Sequence, residues 1–223
     1  MIKSCIFDLD GTLFNTLTSI RYFLNKTLEE NGIEGITEEQ CKIFVGNGAR
    51  KLIERCFKHR GIDDGELLEK VLQQYNASYD AEATYLTEPY EGIVGMLEGL
   101  KAMGISLAVI SNKPEPTVKQ VAALTPGMYA IVRGGREGVP LKPDPTAVYE
   151  MLEELDVKPC ETVYVGDTSV DMKTGKAFRA YLTVGVTWGF RDRRELEESG
   201  ADHIVDTVSE LLNIIKSSAR GDL

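Results

Sequence analysis

Asp8 and Asp10 stand two residues apart near the start of the chain, in Phe7-Asp8-Leu9-Asp10-Gly11-Thr12-Leu13. The segment before them, Ile2-Lys3-Ser4-Cys5-Ile6-Phe7, is short and apolar and reads as a buried strand. Both carboxylates therefore fall where that strand ends, and Gly11 permits a backbone turn that most residues resist. Two like charges about 4 Å apart repel by roughly 4 kcal/mol at an effective dielectric of about 20. A buried loop holding such a pair needs a cation nearby. Carboxylates so placed suit nucleophilic attack and general acid–base work. Taken alone, an acidic, solvated strand-to-helix turn explains them equally well.

Three further polar groups follow apolar runs. Ser111-Asn112-Lys113-Pro114 follows residues 105–110, Lys142 follows a loop with Gly134, Gly135 and Gly138, and Gly166-Asp167 follows residues 162–165, with Asp171 four positions on. Each has an ordinary explanation: a turn, a loop lysine, and a helix start capped by Asp167 or Ser169. All of them at strand ends, in this order, are hard to assign to chance.

The elements that must position these groups fall into two textures. From about residue 15 to 82 the apolar spacing is helical: Ile20, Phe23, Leu24 and Leu28; then a capping box at Thr37–Gln40; then Leu52, Ile53, Cys56 and Phe57; then Leu68, Val71, Leu72, Tyr75 and Tyr79. That stretch has no convincing strand. Elsewhere strands alternate with helices, which predicts an α/β domain with a parallel sheet covered on both faces. The expected division is a core of residues 1–14 and 83–217, a helical insert of 15–82, and a frayed tail of 218–223. An insert after the acidic loop would lie over the carboxyl ends of the strands, where open α/β sheets bind ligands.

Composition narrows the function classes. The 223 residues carry 25 Lys+Arg against 35 Asp+Glu, a formal net charge of −10, with 43% hydrophobic residues. An acidic chain is a poor match for nucleic acid or an anionic membrane, so neither is expected as a partner. No apolar run approaches the ~20 residues needed to cross a bilayer, and the start does not fit a signal peptide. The four cysteines form no Cys-x-x-Cys pair; free thiols in a cytoplasmic protein are expected. The only histidines, His59 and His203, fit structural roles, which disfavours Ser-His-Asp chemistry. A monomer and a dimer are equally compatible with the sequence.

Phe-Asp-Leu-Asp-Gly-Thr-Leu, Ile-Ser-Asn-Lys, Lys-Pro-Asp-Pro and Gly-Asp-Thr-Ser-Val-Asp resemble the four motifs of the haloacid-dehalogenase (HAD) superfamily, and the helical insert resembles its C1 cap. Val45-Gly46-Asn47-Gly48-Ala49, Ser111-Asn112-Lys113-Pro114 and Gly134-Gly135 before Lys142 are similar to the phosphoglycolate phosphatase group within it. The resemblance implies a Rossmann-like core of five parallel strands, the first beside the fourth. It implies a phosphomonoester hydrolase in which Asp8 is the nucleophile and Asp10 the general acid and base. Mg²⁺ would be held by Asp8, the Asp10 backbone carbonyl and Asp167, with Asp171 holding a metal water or orienting Lys142. Lys142 would supply fixed positive charge, and Thr12, Ser111 and Asn112 would bind the substrate. Asn15 replaces a frequent Asp and is expected to cap the first helix of the insert. Gly48 and Arg50 are expected at the cap side of the substrate, Arg50 pairing with the carboxylate of 2-phosphoglycolate; a solvated Arg50, or one paired with Glu54, fits equally well. The expected partner is a small phosphorylated metabolite. Pyrophosphate, a nucleoside monophosphate, a sugar phosphate and a β-phosphoglucomutase-like phosphotransfer remain alternatives. A phospho-acceptor switch of the receiver type fits less well, because receivers carry no helical insert after the first strand. Asp10 argues against dehalogenation, which has no leaving alkoxide to protonate.

Overall fold

Cys5, Ile6 and Phe7 are fully buried and form the centre of β1 (Ser4–Phe7). Burying each such side chain stabilises the fold by about 1.5–3 kcal/mol, so the strand that delivers the acidic pair is firmly seated. The computed structural model describes residues 1–221. After β1 come β2 (Phe14–Asn15) and four helices: α1 (Leu17–Glu30), α2 (Glu38–Phe44), α3 (Gly48–Arg60) and α4 (Gly65–Ala81). Then follow β3 (Glu88–Pro89), α5 (Ile93–Ala102), β4 (Ser106–Pro114), α6 (Glu115–Ala122), β5 (Ile131–Gly135) and α7 (Thr146–Leu155). The chain continues through β6 (Thr162–Gly166), α8 (Ser169–Ala177), β7 (Leu182–Val186), α9 (Arg193–Glu198), β8 (His203–Val205) and α10 (Val208–Arg220).

The main sheet is parallel, in the order β5-β4-β1-β6-β7-β8. β1 lies beside β6, the fourth strand of this sheet in chain order, as expected. The sheet has six strands and not five, because the short segment His203–Val205 pairs with β7. The chain leaves β1 for β4 and β5 on one side and returns to β6 on the other, so the switch point lies at β1. Phe7 pairs with Val109 and with Val165. That register brings Asp8, Ser111 and Asp167 to the same edge of the sheet.

The helices of the 17–81 block pack their apolar stripes together, through Leu24, Leu28, Ile53, Phe57 and Val71, and join one face of the sheet in a single apolar cluster. The Thr37 capping box forms as read: Gln40 N–H donates to Thr37 Oγ1 at 3.2 Å, and Thr37 N–H donates to Gln40 Oε1 at 2.9 Å. Asn15 does not cap α1. It lies in β2, opposite Glu88, and the residue before the helix is Thr16, whose side chain makes no capping bond. The pairing of β2 with β3 closes the entry and exit of the helical block; two-residue strands leave no alternation to read in the sequence. At the other end α10 runs to Arg220 with Ser218 buried, so residues 218–220 are helical and not frayed. Asp222 and Leu223, the rest of the expected tail, lie outside the described residues. Cys5, Cys41, Cys56 and Cys160 are all free. Among the described residues no helix is long and apolar enough to cross a membrane.

Candidate active site

Asp8 is the first residue past β1, and its N–H donates to Val165 O at 2.9 Å, so the sheet ladder fixes its backbone. Its side chain is 9% exposed. Lys142 Nζ donates to Asp8 Oδ1 at 2.6 Å, to Asp171 Oδ1 at 2.8 Å and to Ile110 O at 3.3 Å. Lys142 sits on a loop, and Asn112 holds that loop: Asn112 Nδ2 donates to Lys142 O at 3.2 Å, and Lys142 N–H donates to Asn112 Oδ1 at 2.9 Å. Burial opposes the Lys142 charge, but Asp171 and Asp8 outweigh it and hold its pKa well above the ordinary lysine value. Burial pushes the Asp8 carboxyl up to about 7 against the pull of Lys142, with Asp171 and Asp10 adding to the rise.

Asp167 follows β6 and is fully buried. Its Oδ2 accepts from Phe190 N–H at 2.7 Å and its Oδ1 from Thr12 Oγ1 at 3.2 Å. Gly11 has φ +81°, and a Cβ there would lie 2.3 Å from Asp167 Oδ2. Only glycine permits both that backbone conformation and that approach. Asp171 is fully engaged: Oδ1 accepts from Lys142 and from Tyr164 OH (3.3 Å), and Oδ2 from Thr168 N–H and Oγ1 in a capping box that opens α8. The helix cap is therefore Thr168, and neither Asp167 nor Ser169. Burial first, then Asp8 and Asp171, push Asp167 well above the usual carboxylate range.

Ligand oxygens of Asp8, Asp167 and Asp171 lie within 4.8 Å of one another, all from buried residues. Of the lysines lining the cleft, Lys142 alone contacts this group. Three buried carboxylates against one ammonium leave an excess of negative charge, and the donors are all hard oxygens. The group fits a divalent cation of the Mg²⁺ or Ca²⁺ type.

Asp10 turns toward the helical block. Lys113 Nζ donates to Asp10 Oδ1 at 2.5 Å and to Tyr79 OH at 2.7 Å, and lies 4.7 Å from the Tyr79 ring centre. Ser111 Oγ is 3.5 Å from Asp10 Oδ2 and accepts from Lys113 N–H at 3.3 Å. Burial works against the Lys113 charge, but Asp10 and Tyr79 raise its pKa above the ordinary value. Over these groups lies a cleft that the helical block lines with Ile20, Val45, Ala49, Leu52 and Tyr75, and with the polar Asn76 and Asp80.

The structure brings Asp8, Asp10, Ser111, Asn112, Lys142, Asp171 and Gly48 to this cleft. Asp167 lies beneath it against Thr12, which is fully buried and engaged with Asp167, so Thr12 positions that carboxylate and does not line the cleft. Arg50 is not in the cleft. Its side chain is 51% exposed and makes a bidentate pair with Glu69 at 2.6 and 2.9 Å, and not with Glu54. α3 and α4 lie side by side in the block, so the two residues meet across a helix pair that spacing within one helix does not reveal. Sequence patterning places Lys113 among the strand-end polar groups but gives it no role, and it does not single out Tyr79 as a site residue. Lys113 stands in the strand-end motif, but its partner is 103 positions away. Nor does it single out Arg191, whose guanidinium donates to Lys42 O at 2.5 Å, Ile43 O at 3.3 Å and Val45 O at 2.7 Å, joining the loop after β7 to the end of α2.

Residues 5–184 match the family model described as haloacid dehalogenase-like hydrolase. Phosphoglycolate phosphatases of Aquifex aeolicus (strain VF5) and Haemophilus influenzae (strain ATCC 51907 / DSM 11121 / KW20 / Rd) are 33% and 30% identical to the chain, covering 85% and 94% of it and 86% and 96% of their own lengths. The crystal structure of a predicted phosphoglycolate phosphatase from Haemophilus somnus 129pt superimposes with a TM-score of 0.88 at 26% identity, over 96% of this chain and 98% of that one.

Proposed function

The chain belongs to the haloacid dehalogenase-like hydrolase family and is a phosphatase, and from that premise we propose that it is a Mg²⁺-dependent phosphomonoester hydrolase working through an aspartyl phosphate on Asp8, with 2-phosphoglycolate as substrate. The observation that carries the reading is the placement of Asp8, buried at the end of β1, with Lys142 2.6 Å from one carboxylate oxygen. The names of the relatives support phosphoglycolate as the ester.

In this reading a phosphomonoester enters with its phosphorus against Asp8. Attack by the Asp8 carboxylate forms a P–O bond and breaks the bond to the leaving alkoxide, which takes a proton from Asp10. Water then attacks the acyl phosphate, Asp10 accepts its proton, and Asp8 is regenerated with release of phosphate. Lys142 keeps Asp8 ionised for attack and offsets charge that builds on the phosphoryl oxygens. Ser111 contributes a hydroxyl at the strand end, while Asn112 holds the Lys142 loop. Asp8, Asp167 and the Asp10 backbone carbonyl would hold Mg²⁺, which when bound supplies Lewis-acid stabilisation of phosphoryl charge. Asp171 orients Lys142 through its 2.8 Å contact. The residues of the helical block act as the cap: they close the cleft and exclude water.

The test is phosphate release from a panel of small esters, pyrophosphate, a nucleoside monophosphate and a hexose phosphate, with Mg²⁺ and with chelator. Release from 2-phosphoglycolate above the others, abolished by chelator, is the expected result. A preference for pyrophosphate or the nucleotide would move the substrate assignment, and full activity in chelator would remove the metal.

A further inference from the structure

We propose that Lys113 reads a second anionic group on the substrate, a carboxylate a few bonds from the phosphoester; this rests on the phosphatase reading above and goes beyond it by naming the specificity-determining residue. An ammonium has three N–H donors. Lys142 spends all three, on Asp8, Asp171 and the Ile110 carbonyl. Lys113 spends two, on Asp10 and Tyr79 OH. Among the described residues lining the cleft these two lysines are the only cations. The third donor of Lys113 is thus the cleft's one charged donor without a protein acceptor, on a side chain that is 13% exposed.

Its position suits the role. Asp10 holds Lys113 from the sheet side and Tyr79 from the helical block, so the ammonium spans the seam between them. The Tyr79 ring lies 4.7 Å away, and the Lys113 backbone N–H is tied to Ser111 Oγ. Little freedom remains to be lost when an acceptor arrives. The helical block lines the cleft with apolar groups, Asn76 and the carboxylate Asp80, and adds no cation, so a substrate carboxylate not met by Lys113 would be an unpaired charge. A neutral substituent needs no such partner. The substrate class this geometry takes is a compact phosphoester bearing a carboxylate near the phosphate. Arg50, exposed and paired with Glu69, has no part in it.

The experiment compares wild type, Lys113→Met and Lys113→Arg on 2-phosphoglycolate and on 2-hydroxyethyl phosphate, which exchanges the carboxylate for a neutral group of similar size. Lys113→Met is expected to lower kcat/KM for phosphoglycolate about 10- to 100-fold more than for hydroxyethyl phosphate, the size of one lost charge-assisted hydrogen bond. The loss should lie mainly in KM, and Lys113→Arg should restore part of it. Because Lys113 also touches Asp10, binding is measured separately, by calorimetry in the turnover-blocked Asp8→Asn background. There the added Lys113→Met change should weaken phosphoglycolate and leave inorganic phosphate unchanged. Equal losses on both esters, or equal weakening of both ligands, would overturn the proposal and leave Lys113 acting only through Asp10. A wild type that hydrolyses both esters without preference overturns it while the phosphatase reading stands. A wild type that releases phosphate from neither ester removes both this proposal and phosphoglycolate as the substrate.

Discussion

Lys142 Nζ lies 2.6 Å from Asp8 Oδ1 across 134 residues of sequence, with both side chains at most 9% exposed. Around this pair Asp167 and Asp171 add two more buried carboxylates. One ammonium therefore faces three buried carboxylates, and the negative charge of the site is under-compensated.

Asp8→Asn is expected to cut phosphate release by roughly four orders of magnitude, because the amide is not a nucleophile and no neighbour replaces it. Circular dichroism should show an unchanged fold. Burial opposes the Asp8 charge, so the variant should melt no lower than wild type in chelator. Retained turnover in a folded variant would exclude Asp8 as nucleophile.

Lys142→Met removes the one cation in contact with Asp8 and Asp171. Breaking a buried pair from one side costs about 3–5 kcal/mol, so denaturant unfolding at neutral pH should show a loss of that order. Acidifying toward pH 5 should recover part of it by protonating the orphaned carboxyls. A loss that does not change with pH would mean that the methionine damages packing and not charge balance.

Without metal, stability should fall as pH rises. Asp8 is pushed up to about 7 and Asp167 well above the usual range. An acid with a higher pKa in the folded state holds its proton more tightly there. Its contribution is fully present below the unfolded carboxylate value of about 4 and is lost as pH climbs through the folded value. In chelator, the melting temperature should therefore decline between pH 5 and pH 7.5. A divalent cation competes with those protons, so added Mg²⁺ should raise the melting temperature more at pH 8 than at pH 5.5. An equal rise at both would contradict the assignment of these carboxylates as its ligands.

Arg191 and Arg50 should behave oppositely on substitution. Arg191 donates to three carbonyls at the end of α2, where a cation also favours the helix dipole. Arg191→Ala is expected to raise KM about three- to tenfold with kcat within about twofold, because the cap loses its hold on the core. Arg50→Ala should leave both constants within about twofold, since a solvent-exposed pair contributes little. Steady-state kinetics on one ester settles both, and a large KM effect at Arg50 would place it in the cleft after all.

Much of the arrangement is legible in order along the chain. Apolar runs ending in Asp8-Leu9-Asp10, Ser111-Asn112-Lys113 and Gly166-Asp167 mark strand ends, and strand alternation with helices implies a parallel sheet. Those signals are local: period, turn chemistry and the burial of short runs depend on neighbours within a few residues. The same locality explains the Thr37–Gln40 capping box, whose two partners are three residues apart.

The features hidden from the sequence depend on distant partners. Pairing of Phe14-Asn15 with Glu88-Pro89 displaces Asn15 from its expected capping role, and no periodicity exists in two residues to announce it. Whether Thr12 faces a ligand or Asp167, whether Arg50 enters the cleft or meets Glu69, and which lysine keeps an open donor are decided by contacts between elements remote in sequence. The sequence alone determined which residues arrive at the carboxyl edge of the sheet, because strand register follows from the buried runs. Only the tertiary structure decided which of them face the substrate, because a side chain's role there is set by the partner that first satisfies its charge.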